Sequence, residues 1–362
     1  MRAQLAILPG DGIGPEVINQ AIKVITAIGE TFSHQFIIKN GLVGAVAIDE
    51  TGDPFPQETE ALCRQSDAIL FGAIGHPKYD LDPKAKVRPE QGLLRMRQQL
   101  GLFANIRPVK SYSALSHMSP LKEDRVAGVD FEVYRELTGG IYFGKPRGRS
   151  EDGQTAFDTC VYNREEILRL TELAFNAAKR RRGKVTLVDK ANVLATSRLW
   201  REVVTEYAEQ FPEIELDLMY VDNAAMKLIQ QPGHFDVVLT ENMFGDILTD
   251  EASVITGSLG LLPSASVGKE NALYEPIHGS YPEVAGMNKA NPLAAILSAA
   301  LMLENSFGLS EESKAIQDAV IKTIEEGCLT EDLKSEKPNT TDQVGDRISE
   351  LIKINTLAES KQ

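Results

Sequence analysis

Short apolar runs closed by polar turns alternate along this chain with amphipathic segments of helix length, and that alternation restricts the fold more than any other feature. AQLAIL (3–8) reads as a strand, Pro15 to Gly29 as a helix, and HQFIIK (34–39) as a strand again. DAILFGAIG (67–75) and KVTLVDK (184–190) are apolar on both faces, the pattern of strands covered by helices on either side. Helical periodicity returns over 163–182, 195–210 and 290–305. The alternation predicts an α/β architecture with helices layered on sheet. Between about 103 and 162 the rhythm changes: FANIRPVKSY, RVAGVDFEVYRELTGGIYFG and QTAFDTCVYN read as strands joined by turns, without a helix. A strand-rich middle inside an α/β chain predicts an inserted second domain, 104–255, within a discontinuous first domain, 1–103 plus 256–362. The charged segment EDLKSEKPNTT (331–341) is expected as a surface loop before a last helix.

A formal charge of −14 sets the mean field against polyphosphate, so no nucleic-acid partner is expected. The three cysteines, Cys63, Cys160 and Cys328, form no C-x-x-C pair, which argues against a zinc site or disulfide framework and fits a reduced compartment. The opening MRAQLAIL lacks the long apolar core of a signal peptide. The longest apolar stretch, PLAAILSAALML (292–303), is shorter than the ~20 residues of a membrane span. These features lead to the expectation of a cytoplasmic protein with no membrane partner.

LPGDGIGPEV (8–17) resembles a dinucleotide-binding glycine loop but departs from it. The Rossmann pattern requires glycine at its first, third and sixth positions; here Gly10 and Gly12 are followed by Pro15 at the sixth. Proline cannot provide the close helix–strand packing of the last glycine, but it suits the first turn of a helix. Asp11 also puts negative charge where a pyrophosphate would lie. The stretch reads as a tight strand-to-helix turn beside a cleft.

Three further stretches collect reactive side chains. Arg97, Arg107 and Arg135 offer planar forks for the carboxylates of a di- or tri-acid, or form surface ion pairs. Asp246 and Asp250 in ENMFGDILTDEAS are four apart, on one face if the segment is helical. Like charges at that spacing repel unless a cation sits between them, so the pair reads either as a divalent-metal site or as a solvated acidic face. Asp222, after an apolar strand, is a candidate third carboxylate. His278 lies in a polar loop, LYEPIHGSYPEVAGMNKANP, suited to wrapping a ligand, and Lys190 ends a buried strand where a lysine can serve as a base.

Taken together, LPGDGIGPEV, RPEQGLLRMR, RELTGGIYFG, VDKANVL, ENMFGDILTDEAS, GSLGLLPSAS and EPIHGS resemble the β-decarboxylating dehydrogenases, the isocitrate/isopropylmalate dehydrogenase family, and its isopropylmalate branch above all. The resemblance spans some four-fifths of the chain. It implies two α/β domains of isopropylmalate dehydrogenase-like fold, with a non-Rossmann cofactor site in an interdomain cleft. The implied reaction is oxidative decarboxylation of (2R,3S)-3-isopropylmalate to 4-methyl-2-oxopentanoate and CO₂, with reduction of NAD, in leucine biosynthesis. Cofactor contacts are then implied at Ile13, Glu90, Glu275, His278, Gly279, Ser280, Tyr281, Glu283 and Asn291. Arg97, Arg107 and Arg135 would clamp the malate carboxylates, and Asp222, Asp246 and Asp250 would hold Mg²⁺ or Mn²⁺. Lys190 would accept the C2 hydroxyl proton and Tyr142 would protonate the enol carbon. Lys190, Asn192 and Asp222 would reach the neighbouring subunit's site, which implies a homodimer with shared active sites.

Leu93 and Leu94, with Val193 beyond Asn192, supply an apolar pocket that suits an isopropyl group. A third carboxylate against two leucines costs several kcal/mol. Isopropylmalate is therefore favoured over isocitrate, with homoisocitrate and tartrate behind. A metal-dependent phosphohydrolase, the reading from another class, gives VDKANVL and RELTGGIYFG no role. The adenosine loop departs from the family: Tyr281, Pro282 and Glu283 stand where Ala-Pro-Asp is usual, and Lys289 replaces an apolar residue. Glu283 keeps the charge that repels a 2′-phosphate, so NAD remains the expected cofactor.

Overall fold

The computed structural model describes residues 1–82 and 85–359. It divides into two compact units, Met1–Leu102 with Ser258–Gln362, and Phe103–Gly257.

In the first unit, strands run in the order Gln35–Asn40, Arg2–Gly10, Ala68–Ala73, Ala272–Pro276, Pro263–Val267. The first four are parallel neighbours, and the last pairs antiparallel, Ser264 opposite Glu275. Ala68–Ala73 is buried at every position, as its two-faced apolar run predicts. The helix after the opening loop runs Gly14–Phe32, one residue earlier and three later than its expected limits. Val17, Ile18, Ala21, Val24, Ile25 and Ile28 form the buried stripe within the predicted limits, and Ser33 closes the helix in the left-handed region. Helix Leu293–Phe307 is apolar around most of its circumference and accordingly buried, against the first helix and the sheet. Segment 331–341 is mostly exposed and leads into the last helix, Thr341–Glu359, as expected of a surface loop, but it is anchored to the body of the unit. Leu333 and Thr330 are buried, and Asp332 accepts hydrogen bonds from Ser258 and Asn291.

In the second unit the strand order is Ala104–Lys110, Asp130–Glu136, Val237–Thr240, Lys184–Asp189, Glu215–Tyr220. The first pair is antiparallel, Asn105 opposite Arg135, and the remaining pairs are parallel. The strand-rich middle is as read, with short helical turns at Ser113–Met118 and Glu123–Val126 between its strands. Gly148–Arg149 and Ala156–Phe157 form a separate exposed ladder. Phe131, Val133, Val188, Phe235, Val238 and Leu248 form the apolar centre beneath the helices. Helices Val221–Gln230 and Asn242–Ser253 each follow the end of a strand, Glu215–Tyr220 and Val237–Thr240 respectively. Parallel strands deliver such helix starts to one end of a sheet, where ligand sites of α/β folds collect.

Candidate active site

In the second unit the chemistry is organised by helix Asn242–Ser253. Glu241 caps it, its carboxylate accepting the Phe244 N–H at 2.8 Å. Asp246 accepts from Arg135 Nη1 at 2.5 Å and from the Tyr142 hydroxyl at 2.8 Å. Asp250 pairs with Arg107 Nη1 at 3.3 Å, and the same nitrogen donates to Thr249 Oγ1 at 2.7 Å. Both arginines rise from the antiparallel strand pair and are further held by asparagines: Arg107 Nε donates to Asn105 Oδ1 at 2.8 Å, and Arg135 Nε to Asn242 Oδ1 at 3.0 Å. A Cβ on Gly245 would stand 2.6 Å from Arg135 Cγ, so the glycine is what lets the arginine stem lie along the helix.

This arrangement bears on two of the alternatives left open by the sequence. Arg107 and Arg135 are not surface ion pairs, their side chains being only 12% and 6% exposed. Nor does the Asp246–Asp250 repulsion by itself demand a metal, because each carboxylate meets an arginine from the same chain. Burial, reinforced by the Asp246 carboxylate, pushes the Tyr142 phenol up to about 12, so it carries its proton at neutral pH.

Lys190 Nζ donates to Asp222 at 2.8 Å, and this contact holds the Asp222 carboxyl below its usual range. Asn192 and Val193 are exposed in the turn that follows. Within one chain, Asp222 therefore does not join Asp246 and Asp250. Among the described residues no three His, Cys, Asp or Glu side chains gather into a metal-sized cluster. Asp246 and Asp250 alone supply the hard oxygen donors that Mg²⁺ or Mn²⁺ takes, and fit such an ion as part of its ligand set.

In the first unit the opening loop is a structural knot. Asp11 is buried, and its carboxylate accepts the N–H groups of Ala45 and Gly75 at 2.9 Å and Val46 at 3.1 Å. It ties three segments together instead of facing a pyrophosphate, and burial raises its pKa against those bonds. Gly12, at φ +57°, lies so close to the His-Gly-Ser loop that a Cβ would be 2.0 Å from the Ser280 carbonyl. The next N–H, that of Ile13, donates to that carbonyl at 2.8 Å.

These two loops wall a cavity of about 370 Å³ with Ile13, His278, Gly279, Tyr281 and Asn291 on its lining. Leu259, Ala290, Lys289 and Asp332 complete most of the wall. His278 Nε2 is buried without a hydrogen-bond partner among the described residues, and burial lowers the imidazole pKa, keeping the ring neutral. An unsatisfied neutral ring nitrogen in a mostly apolar pocket of this size fits a planar base with polar edges, as in the adenosine of a dinucleotide.

Glu90, Glu275, Ser280 and Glu283 are not on this lining, Ser280 being buried with its carbonyl turned to the opening loop. Glu275 pairs with Arg97 at 3.2 Å, Glu90 lies in the first turn of helix Pro89–Gln99, and Glu283 is exposed in the turn Pro282–Val284. On the Pro89–Gln99 helix, Leu93 packs against the core and Leu94 is 48% exposed. The sequence reading missed Asn105, Asn242, Thr249 and Asp332. Thr249 sits between the two acids in the sequence. Asp332 lies in a charged segment with no local mark, 41 residues from Asn291, to which it bonds.

The sequence profile of the family described as isocitrate/isopropylmalate dehydrogenase matches residues 4–348. The chain is 58% identical to a 3-isopropylmalate dehydrogenase of Geobacillus kaustophilus, over 91% of this chain and 90% of the relative. It is 54% identical to that of Bacillus subtilis, over 97% and 98%. Among solved structures, an isocitrate dehydrogenase from Methylococcus capsulatus superposes with TM-score 0.85 at 34% identity, covering 97% of this chain and 99% of that one. A β-decarboxylating dehydrogenase from Thermococcus kodakarensis gives 0.83 at 34% identity, covering 99% and 98%. With its α/β fold, its arginine-clamped acid pair and a profile match over nearly its whole length, the chain belongs to the isocitrate/isopropylmalate dehydrogenase family.

Proposed function

We propose that this chain catalyses the oxidative decarboxylation of (2R,3S)-3-isopropylmalate to 4-methyl-2-oxopentanoate and CO₂ with reduction of NAD, the leucine-pathway reaction of a cytoplasmic enzyme. The observation that carries the reading is the set Arg107, Arg135, Tyr142, Asp246 and Asp250, gathered around one helix in a chain more than half identical to 3-isopropylmalate dehydrogenases. Arg97, Arg107 and Arg135 bind the two carboxylates of the substrate through planar donor pairs. Leu93 and Leu94, with Val193, receive the isopropyl group and leave a third carboxylate unpaired, which disfavours isocitrate.

When bound, the nicotinamide supplies a hydride acceptor for C2 and a divalent ion supplies positive charge beside the C2 oxygen. Lys190 accepts the C2 hydroxyl proton. Arg135 and Arg107 hold the substrate carboxylates while CO₂ departs. Tyr142, protonated at neutral pH, then delivers a proton to the carbon that lost CO₂. Ile13, His278, Gly279 and Asn291 hold the adenosine, and the exposed Glu283 carboxylate disfavours a 2′-phosphate, selecting NAD.

The working form in this reading is a homodimer. Asp222 and Lys190 lie apart from Asp246 and Asp250 within one chain and serve the second copy's site. The same unit exposes Met226 and Ile229 on helix Val221–Gln230, and Ile247 and Val254 on and after helix Asn242–Ser253, an apolar surface that a partner copy covers. No described helix is long and apolar enough to cross a membrane.

The test is an absorbance assay of cofactor reduction with 3-isopropylmalate or isocitrate, each with NAD or NADP, with Mg²⁺ present and then chelated. The expected result is metal-dependent reduction with 3-isopropylmalate and NAD. Turnover of isocitrate alone overturns the leucine-pocket argument, and a requirement for NADP overturns the role given to Glu283.

A further inference from the structure

We propose that Asn242 is a positioning residue for this reaction: one buried carboxamide holds Arg135 and the turn carrying Tyr142 in fixed register on the helix that bears Asp246. The inference rests on the reading that Arg135 and Tyr142 act on substrate. Asn242 itself is 1% exposed. Its Oδ1 accepts from Arg135 Nε at 3.0 Å, and its Nδ2 donates to the Gly139 carbonyl at 3.1 Å. The two partners fix the orientation of the amide, since a guanidinium only donates and a carbonyl only accepts. Of side chains this size only a carboxamide does both: aspartate keeps the acceptor but loses the donor, and leucine loses both.

The turn that Asn242 grips is otherwise held from behind. Gly139 N–H donates to Glu136 at 2.6 Å and Gly140 N–H to the Val161 carbonyl at 3.1 Å. Gly139 and Gly140 lie close against the Tyr162 side chain, and a Cβ on Gly140 would stand 2.3 Å from its hydroxyl. That hydroxyl accepts the Asn242 N–H at 3.0 Å and donates to the helix-capping Glu241 at 3.2 Å. Tyr142 lies two residues beyond this turn, its ring 6.0 Å from the Arg135 guanidinium. Asn242 is thus the junction of the arginine, the tyrosine turn and the start of the acid-bearing helix. An ångström of play there separates the proton donor from the carboxylate clamp, the kind of misplacement that costs rate more than affinity.

The full-length enzyme carrying Asn242→Asp or Asn242→Leu tests this. Asn242→Asp retains the acceptor for Arg135 and releases the turn. It is expected to lower kcat about tenfold or more, with KM for 3-isopropylmalate within about threefold of wild type. Asn242→Leu also frees Arg135, and KM is expected to rise about tenfold as well. Hydrogen exchange of the segment 138–143 is expected to quicken about tenfold in both, with strand 130–136 unchanged. Val238→Ala, a core truncation in the same unit, serves as the stability control, with kcat per folded molecule unchanged. Should Asn242→Leu not fold, Tyr162→Phe, which removes the hydroxyl under Asn242, is expected to show the same kcat loss in smaller measure. Unaltered kcat and KM in folded Asn242 variants, or unaltered exchange over 138–143, overturns the proposal. If the wild type does not turn over 3-isopropylmalate, the functional reading fails separately, and the exchange result alone decides the role of Asn242.

Discussion

Two carboxylates four residues apart on a helix repel one another, and in this chain each is met by an arginine from the neighbouring strand pair, Asp246 half-buried and Asp250 still open to solvent. At the scale of single residues the second unit's cluster is a set of such compensated charges, whereas in the first unit the cavity residue His278 is uncharged. Burial lowers its pKa below the ordinary 6.5, so the unfolded chain takes up this proton at higher pH than the folded one. The stability that comes with a neutral ring is therefore whole above about pH 6.5 and is lost as pH falls below it. The urea midpoint of the wild type is expected to decline more steeply between about pH 7.5 and 5.5 than that of His278→Asn. Parallel slopes for the two proteins would remove His278 as the buried neutral group.

Among the elements, the opening strand–loop–helix is held by contacts that tolerate no side-chain atom. Gly12→Ala places a Cβ 2.0 Å from the Ser280 carbonyl at a left-handed φ of +57°. The cost is expected to be about 1–3 kcal/mol or more, because the His-Gly-Ser loop must move as well as the backbone. NAD affinity, measured by titration calorimetry, is expected to fall with it, since the same two loops wall the cavity. Gly52→Ala is the discriminating comparison. Its φ of +80° is also left-handed, but nothing lies within 4 Å, so it should cost only about 1 kcal/mol with NAD binding unchanged. Equal loss of affinity in both would detach the glycine loop from cofactor binding.

For the whole molecule, the proposed dimer makes a prediction that a self-sufficient monomer does not. Lys190→Ala disables the residue lent to the partner's site, and Asp246→Asn the residue kept in the chain's own. Refolding the two inactive variants together is expected to restore about a quarter of wild-type activity: half of the random dimers are mixed, and each mixed dimer has one intact site of two. No recovery, with mixed dimers verified by tagging, would place each complete site within one chain.

Much of the architecture was legible because its causes are local. Apolar runs at positions 68–73 and 184–189 read as buried strands from composition alone, and the helical stripe after Pro15 was readable because burial repeats every three to four residues. The shared face of Asp246 and Asp250 follows from helical geometry and nothing else. What occupies the space beside those acids was not legible. Arg135 lies 111 residues from Asp246 and Arg107 lies 143 from Asp250, and no periodicity links such pairs. The glycine loop shows the same division. The sequence by itself determined a tight turn into a helix and argued against a Rossmann site, because proline cannot replace the last glycine. Only the tertiary structure decided why the other glycines are needed, by pressing the backbone of residues 73 and 280 against them, and why Asp11 is there, by burying it among three N–H donors. Local periodicity encodes which side chains share a face; which faces meet is set by packing between segments distant in the chain, and the arginine-clamped acids and the cavity at His278 exist only once that packing is complete.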